Sequence, residues 1–209
     1  MAALATAFEW GRLKMQASVL GYFVHEKVER FEARPDKAVA TPAFFGSFKV
    51  LKNHDLSVRA FYKRMFRMPT FNDLYYTDMG NAFLKPEYAE QFNVGLKYTR
   101  NFEKSPFMRM LDVSVDAYYN KITDKIIAYP KGQQFRWTML NLGEVEIKGV
   151  DAVLNTQFSL GKLEVTTKFQ YTYQEAIDVT DPADTYYRDQ IPYIPWHSGS
   201  AILALFYKG

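Results

Sequence analysis

The clearest pattern in the chain runs from Glu87 to Tyr98. Phe92, Val94, Leu96 and Tyr98 fall on one face, while Gln91, Asn93, Gly95 and Lys97 fall on the other. A period of two predicts a β-strand with one apolar and one wet face. Leu111–Asn120 repeats the pattern, with Leu111, Val113, Val115, Ala117 and Tyr119 set against Asp112, Ser114, Asp116, Tyr118 and Asn120. Lys162–Tyr173 repeats it again. Weaker alternation covers Leu13–Phe23, Asp55–Lys63, Ile147–Phe158 and Ser198–Tyr207, and Leu4–Trp10 and Phe44–Val50 are shorter strand candidates.

The connections between these runs alternate in length. Gly11-Arg12, Lys52-Asn53-His54, 101–107 and Ser159-Leu160-Gly161 are short. Between them lie long segments at His25–Pro42, Arg67–Pro86, Thr123–Leu140 and Glu175–Pro195. Loops longer than about 12–15 residues are uncommon in compact domains, so a regular short/long rhythm is informative. It matches a membrane barrel, with short turns at one rim and long loops at the other. The strands, at about 10 residues or more, also exceed the usual globular length and suffice to cross a hydrocarbon layer when tilted. The expected fold is all-β: an antiparallel up-and-down transmembrane β-barrel. About nine strands are visible, and single-chain bacterial barrels have an even number. An unclosed wall leaves edges that lipid cannot satisfy. The expectation is therefore a part of a larger barrel, and a start (Met1–Trp10) without a secretory leader points the same way.

Composition sharpens this picture. The 209 residues contain no cysteine, which removes disulfides, thiol catalysis and Cys-based metal sites from consideration. Aromatics reach 17%, a bias shared by strands and by membrane-interface girdles. The formal charge of +3 is spread without a basic tract, so nucleic acid is not an expected partner. No apolar run is long enough for a transmembrane helix, which leaves strands as the only spanning element.

Candidate chemistry is sparse. His25, His54 and His197 stand in separate segments without metal-ligand spacing; His25, at a loop mouth, is the one position where a haem-iron ligand would fit, and a solvated histidine is the simpler reading. Asp181/Asp184 and Glu144/Glu146 lack the setting of a calcium loop or a glycosidase pair. No phosphate loop, nucleophile elbow or zinc-protease motif is present, so no enzyme, cofactor or metal site is expected. The long segments are instead rich in aromatics: Phe71, Tyr75, Tyr76, Tyr129, Phe135, Trp137, Tyr186 and Tyr187. Such rings grip a chelate, macrocycle or sugar by stacking and hydrogen bonding, or anchor a wall at headgroup level. Arg67, Lys131, Arg136 and Arg188 would attract an anionic ligand or contact lipopolysaccharide.

One block carries more than pattern. Phe66-Arg67-Met68-Pro69-Thr70-Phe71-Asn72-Asp73-Leu74-Tyr75, then Gly80-Asn81 and Leu84-Lys85-Pro86-Glu87, resembles the "FR-x-P-x-F-x-x-L-Y … GN-x-x-LKPE" stretch of TonB-dependent outer-membrane receptors. Leu111–Ile127 is similar to a strand and loop start of that family. Asn141–Asp151 is similar to its "N-x-G-x-x-x-x-x-G-v-E" strand, with Asp151 in place of Glu, and Gln190–His197 to its "P-x-x-P-x-H" return into a late strand. The resemblance singles out Phe66, Arg67, Pro69, Leu74, Asn81, Lys85, Pro86, Glu87, Asn141, Gly143 and Gly149. It implies barrels of about 22 strands closed by an N-terminal plug. These import ferric siderophores, haem, cobalamin or glycans across the outer membrane of Gram-negative bacteria, driven through TonB.

On that reading residues 1–209 belong to a single barrel domain. The plug and the final strands are absent, and the implied partners are outer-membrane lipid, a small-molecule nutrient and, through the plug, the TonB complex. A passive porin or adhesive barrel and a soluble β-rich carbohydrate-binding domain are the alternatives. Physically, Pro69 and Pro86 mark where strands stop, Gly80-Asn81 offers a bend with positive φ, and Arg67 and Glu87 are placed to pair across the hairpin mouth.

Overall fold

The computed structural model describes residues 1–25, 27, 36–51, 55–131 and 136–208; of Lys131 and Arg136 only the backbone is described. His54 and Phe135 therefore lie outside the described residues, as do parts of the segments expected at His25–Pro42 and Thr123–Leu140. The described chain forms one antiparallel sheet of nine strands in sequence order. They are β1 (Ala2–Trp10), β2 (Leu13–Val24), β3 (Lys37–Lys49), β4 (Asp55–Arg67), β5 (Glu87–Asn101), β6 (Met108–Lys131), β7 (Arg136–Leu160), β8 (Leu163–Asp178) and β9 (His197–Tyr207). A single short helix, α1 (Phe71–Tyr75), lies between β4 and β5. The sheet does not close on itself among the described residues, as expected of a partial barrel.

Register shows how the sequence builds this wall, because directly opposed residues in antiparallel strands share a face. One row runs across all nine strands through Glu9, Lys14, Ser47, Arg59, Gly95, Asp116, Asp151, Thr172 and Ser198. Every member is polar or glycine. One residue along, the row reads Phe8, Met15, Gly46, Ala60, Val94, Ala117, Val150, Tyr173 and His197, apolar but for the last. A slip of one residue at any pairing would turn the rest of the wall inside out.

The apolar face is bare. Val94, Leu96, Leu203 and Leu205 are each more than half exposed. A face of this size needs a cover, and its height says which. On β5 the apolar stripe is bounded by Glu90 and Arg100, which is ~34 Å of strand at the standard rise, or ~26 Å along the normal at barrel tilt. That is the height of a lipid-facing band. At the Glu90 level Arg64, Glu90, Lys121 and Glu146 stand side by side on four successive strands. Just inside that boundary the rings of Phe44, Tyr62, Phe92 and Tyr119 follow one another at centroid spacings of 6.5, 5.0 and 6.4 Å. This is an aromatic girdle beneath a charged rim.

The polar face holds ion pairs and glycines. Arg59 grips the Asp116 carboxylate through two nitrogens, with Nε at 3.1 Å. A Cβ on Gly95 would lie 2.1 Å from Asp116 Oδ1, so glycine is what lets the pair span β5. Gly149 likewise leaves room for the Tyr118 ring, whose hydroxyl would sit 2.3 Å from an added Cβ. The short joints at Gly11-Arg12 and Gly161-Lys162 are two-residue turns with glycine at φ 59° and 63°, the left-handed start that tight hairpins favour.

Two expectations need correction. The described part of Thr123–Leu140 is not a loop: β6, to Lys131, and β7, from Arg136, at 24 and 25 residues, stay paired beyond the stretch needed to span lipid. β3 also starts at Lys37, inside the expected loop to Pro42. The remaining strand assignments agree in phase, their ends differing by a few residues.

The faces predict opposite responses to charge. In the full-length parent refolded into lipid vesicles, Val94→Lys should cost about 2–4 kcal/mol by denaturant titration. Gln170→Lys on the polar face should change stability by less than about 0.5 kcal/mol.

Candidate functional site

The tightly packed part of the molecule lies at the long-loop end rather than within the wall. Ala89, Ile122, Val145, Ile147, Ala176 and Ile191 form one buried cluster, joined by Met65, Leu142 and Ile194. Leu74, Leu84 and Ile126, with Met139, form a second. Asp124, at φ 54°, breaks the β6 pleat where the hairpin leaves the wall. Beyond it the β4–β5 loop packs against the Ile126/Met139 side of the hairpin. The β8–β9 loop packs against the Ile127/Leu140 side.

Most positions singled out by family resemblance fasten this unit, Gly149 standing instead in the wall beside Tyr118. Thr70 and Asp73 form a reciprocal capping box on α1, Thr70 Oγ1 accepting from Asp73 N–H at 3.2 Å and Asp73 accepting from Thr70 N–H at 2.9 Å. Arg67 bonds Asp73 at 3.0 Å and reaches Glu87, its cross-strand neighbour, at 3.5 Å, as expected. Glu87 in turn accepts the Ile126 N–H at 3.0 Å. Asn81 donates to the Met139 carbonyl at 3.0 Å, and the Met139 N–H donates to Met79 at 2.9 Å. Asn141 makes three contacts: it accepts from Lys85 N–H at 2.8 Å and donates to the carbonyls of Lys85 at 3.1 Å and Asp124 at 2.7 Å.

Pro69, Leu74 and Pro86 are buried where the loop leaves and rejoins the wall, and Phe66 packs on Tyr88 at 5.2 Å. Gly143 faces the Thr180 side chain at 2.3 Å from an added Cβ. The positive φ expected at Gly80-Asn81 falls instead at Asp78 (69°). Gly80 is needed for a different reason, since an added Cβ would come 2.7 Å from the Leu74 carbonyl.

The aromatic candidates divide into groups. Phe71 and Tyr75 lie tilted to each other at 6.1 Å on α1 and, like Tyr76, face solvent; so does Phe83, which the sequence reading missed and which is 93% exposed. Trp137 touches Tyr193 at 5.8 Å, tying the hairpin to the β8–β9 loop. Tyr129 and Tyr186 line a cavity of about 350 Å³ between those two segments, while Tyr187 does not. Its floor is Ile127, Leu140, Leu142, Ile191 and Pro192; its polar groups are Asp178, Asp184, Asp189 and Gln190. Ile191 belongs to the first buried cluster and Leu142 packs against it, so the cavity adjoins that cluster.

Two of the basic candidates stand away from this cavity. Arg67 is held by two carboxylates, Arg188 does not line it, and the side chains of Lys131 and Arg136 lie outside the described residues. His25 bonds Asp36 at 2.7 Å, and His197 accepts or donates to Tyr171 at 2.8 Å on the apolar face. Among the described residues no three His, Cys, Asp or Glu groups converge as metal ligands. Asp178, Asp189 and Gln190 escaped the sequence reading because only the return of β8–β9 over the hairpin brings them to Tyr129.

An antiparallel meander with one polar and one lipid-height apolar face, crowned by interlocked long loops, defines an outer-membrane type of barrel. The family model for the β-barrel of TonB dependent receptor-like proteins matches residues 9–209, and the chain belongs to that family, one of receptors and transporters rather than enzymes. Among curated relatives it is similar to the vitamin B12 transporter BtuB of Vibrio vulnificus (strain YJ016), 32% identical over 99 residues, or 47% of this chain and 14% of the relative. The vitamin B12 transporter BtuB of Photobacterium profundum is 34% identical over 113 residues, 51% of this chain and 16% of the relative. The matched stretch is thus a small part of either protein. Among solved structures, the copper transporter OprC superposes with a TM-score of 0.65 at 17% identity, covering 98% of this chain and 32% of that one, which is a likeness of fold. Members of the family are outer-membrane barrels, so the apolar face is the outer one and the polar face lines the lumen.

Asn141 supplies a direct test of the fastening. Asn141→Ala in the full-length parent should cost about 1–3 kcal/mol, since polar backbone groups lose their partners. Limited proteolysis should then cut residues 76–86 faster while the wall stays protected.

Proposed function

We propose that this chain is a stretch of wall and outer loops from a receptor that imports a scarce small-molecule nutrient across the outer membrane of a Gram-negative bacterium. Import would draw on energy delivered through TonB. Residues 1–209 belong to one barrel domain, and the plug, the remaining strands and the TonB contact are supplied by the rest of the parent. The single observation that carries this reading is the family match over residues 9–209, laid on a wall whose bare apolar band has the height of a bilayer core. An open sheet that covers about a third of OprC is consistent with a share of a larger barrel. The cargo belongs to the class of metal chelates, haem and cobalamin. Cobalamin stands first among them, because two relatives above 30% identity are named vitamin B12 transporters.

The loop architecture suits capture. Rigid loops hold Phe71, Tyr75 and Tyr76 on one side and Tyr129, Trp137 and Tyr186 on the other, and preorganised rings lose little entropy when they bind.

The full-length parent should fractionate with the outer membrane, require detergent, and migrate faster on a gel before boiling than after. Deleting its gene, or the gene for TonB, should abolish growth on limiting cobalamin, haem or ferric chelate, for one of the three. A parent that remains soluble and monomeric without detergent would overturn the reading.

A further inference from the structure

Resting on the receptor reading, we propose that Tyr193, in the β8–β9 loop, is a cargo-contacting residue. Its ring takes the flat conjugated face of a macrocycle, the porphyrin or corrin type of cargo rather than an aliphatic iron chelate. The observation behind this is a tyrosine in a turn position that suits glycine. The Ile194 N–H donates to the Ile191 carbonyl at 3.4 Å, closing a two-residue turn over Pro192 and Tyr193. The proline ring holds the first of these at φ about −65°, and Tyr193 follows at φ 67°. That is a type II turn, whose second central position favours glycine or asparagine, because a larger side chain there crowds Cβ against the following carbonyl.

Burial does not offset the strain. The two ends of the turn are anchored, Ile191 being buried and Ile194 packed against the same cluster. The tip is not: Tyr193 stands 80% exposed, leaning on Trp137 at a centroid spacing of 5.8 Å with the ring planes 44° apart. Glycine would form the same turn with less strain. A large ring kept in a strained and exposed place points to a partner outside the chain. The family resemblance at Gln190–His197 rests on Pro192, Pro195 and His197 and leaves position 193 open.

The frame around the ring suits stacking. The Gln190 side chain accepts the Ala176 N–H at 2.9 Å and donates to the Ile194 carbonyl at 3.0 Å, and the Ile191 N–H donates to the Ala176 carbonyl at 2.8 Å. Beyond the turn, the Trp196 carbonyl accepts the Gln174 N–H at 2.9 Å. The turn is thus fixed to β8 on both sides of Tyr193, and a ring held in place loses little entropy on binding. A flat conjugated face can lie along the ring and gain offset stacking beyond the area it buries, which an aliphatic chelate cannot.

The test uses the full-length parent in detergent and three probes. Haemin and cyanocobalamin present a conjugated macrocycle, and ferrioxamine B is an aliphatic hydroxamate chelate. At least one macrocycle should bind saturably and at least about tenfold more tightly than ferrioxamine B. Tyr193→Gly should weaken that macrocycle about tenfold. The temperature at which this variant loses its fast-migrating form on a gel should stay level or rise, because glycine relieves the turn. Tyr193→Phe, which keeps the ring, should bind within about threefold of the parent. A Tyr193→Gly barrel that loses binding and also melts earlier would make the ring a fastening to Trp137 and overturn the inference. So would an unchanged macrocycle affinity in that variant, or a loss in Tyr193→Phe as large as in Tyr193→Gly. An outer-membrane parent that binds ferrioxamine B best, or none of the three probes, would sink this inference and spare the receptor reading. A parent that never reaches the outer membrane would sink both.

Discussion

Everything in this wall follows from the need to pair each backbone N–H and C=O without help from solvent. In hydrocarbon an unpaired group costs several kcal/mol, so the chain must run as an unbroken ladder. The nine strands do this in sequence order, each hydrogen-bonded to the next. Proline obeys the same rule. Pro42 lies opposite Val19 on β2, one residue before the β3–β4 pairing begins at Ala43. Pro69 and Pro86 stand outside the ladder, at the two ends of the β4–β5 loop.

Once the ladder is fixed, the two faces divide the remaining work. The outer face gains nothing from interlocking side chains, because its cover is fluid, so Phe8, Val94 and Leu205 stand more than half exposed with no partner layer. The inner face carries the specificity. Arg59 reaches Asp116 across Gly95. Asp112 accepts from Thr99 at 2.7 Å and Asn155 at 3.0 Å, and Asp151 from Thr172 at 2.7 Å. These bonds tie β4 to β8 by side chains at the same levels where the backbone ties them, and they resist a register slip that backbone pairing alone would tolerate.

How much of this the sequence disclosed depends on where burial wrote a pattern. Strand phase was readable on β5, β6 and β8 because a face against lipid must stay apolar at every second residue. Above the headgroup rim that demand ends. The outer part of β6 and β7 (Lys125-Ile126-Ile127-Ala128-Tyr129 against Thr138-Met139-Leu140-Asn141-Leu142) buries some of both sides between two loops, and the period of two dissolves into a loop-like run. The candidate site was less legible for a related reason. For Arg67 the pairing with Glu87 was readable, but its second partner, Asp73, was not, because Asp73 acts through a five-residue helix that no periodicity announces. Tyr129 and Tyr186 were picked as aromatic, but their shared cavity depends on a loop folding back by 14 residues, where Gln190 takes the Ala176 N–H.

The loop unit differs from the wall in what holds it, and that difference bears on function. A binding surface over an open lumen needs rigidity, yet it cannot borrow it from lipid. Here it comes from two small apolar clusters and from side chains that bond backbone: Asn81, Asn141, Glu87, Gln190 and Thr180. Side chain to backbone bonds fix where the chain runs while leaving neighbouring side chains free to vary. Phe71, Tyr76, Phe83, Tyr129 and Tyr186 project from that frame without being needed to build it. Most residues that resemble the family describe the frame, while Phe71, itself part of that resemblance, projects from it.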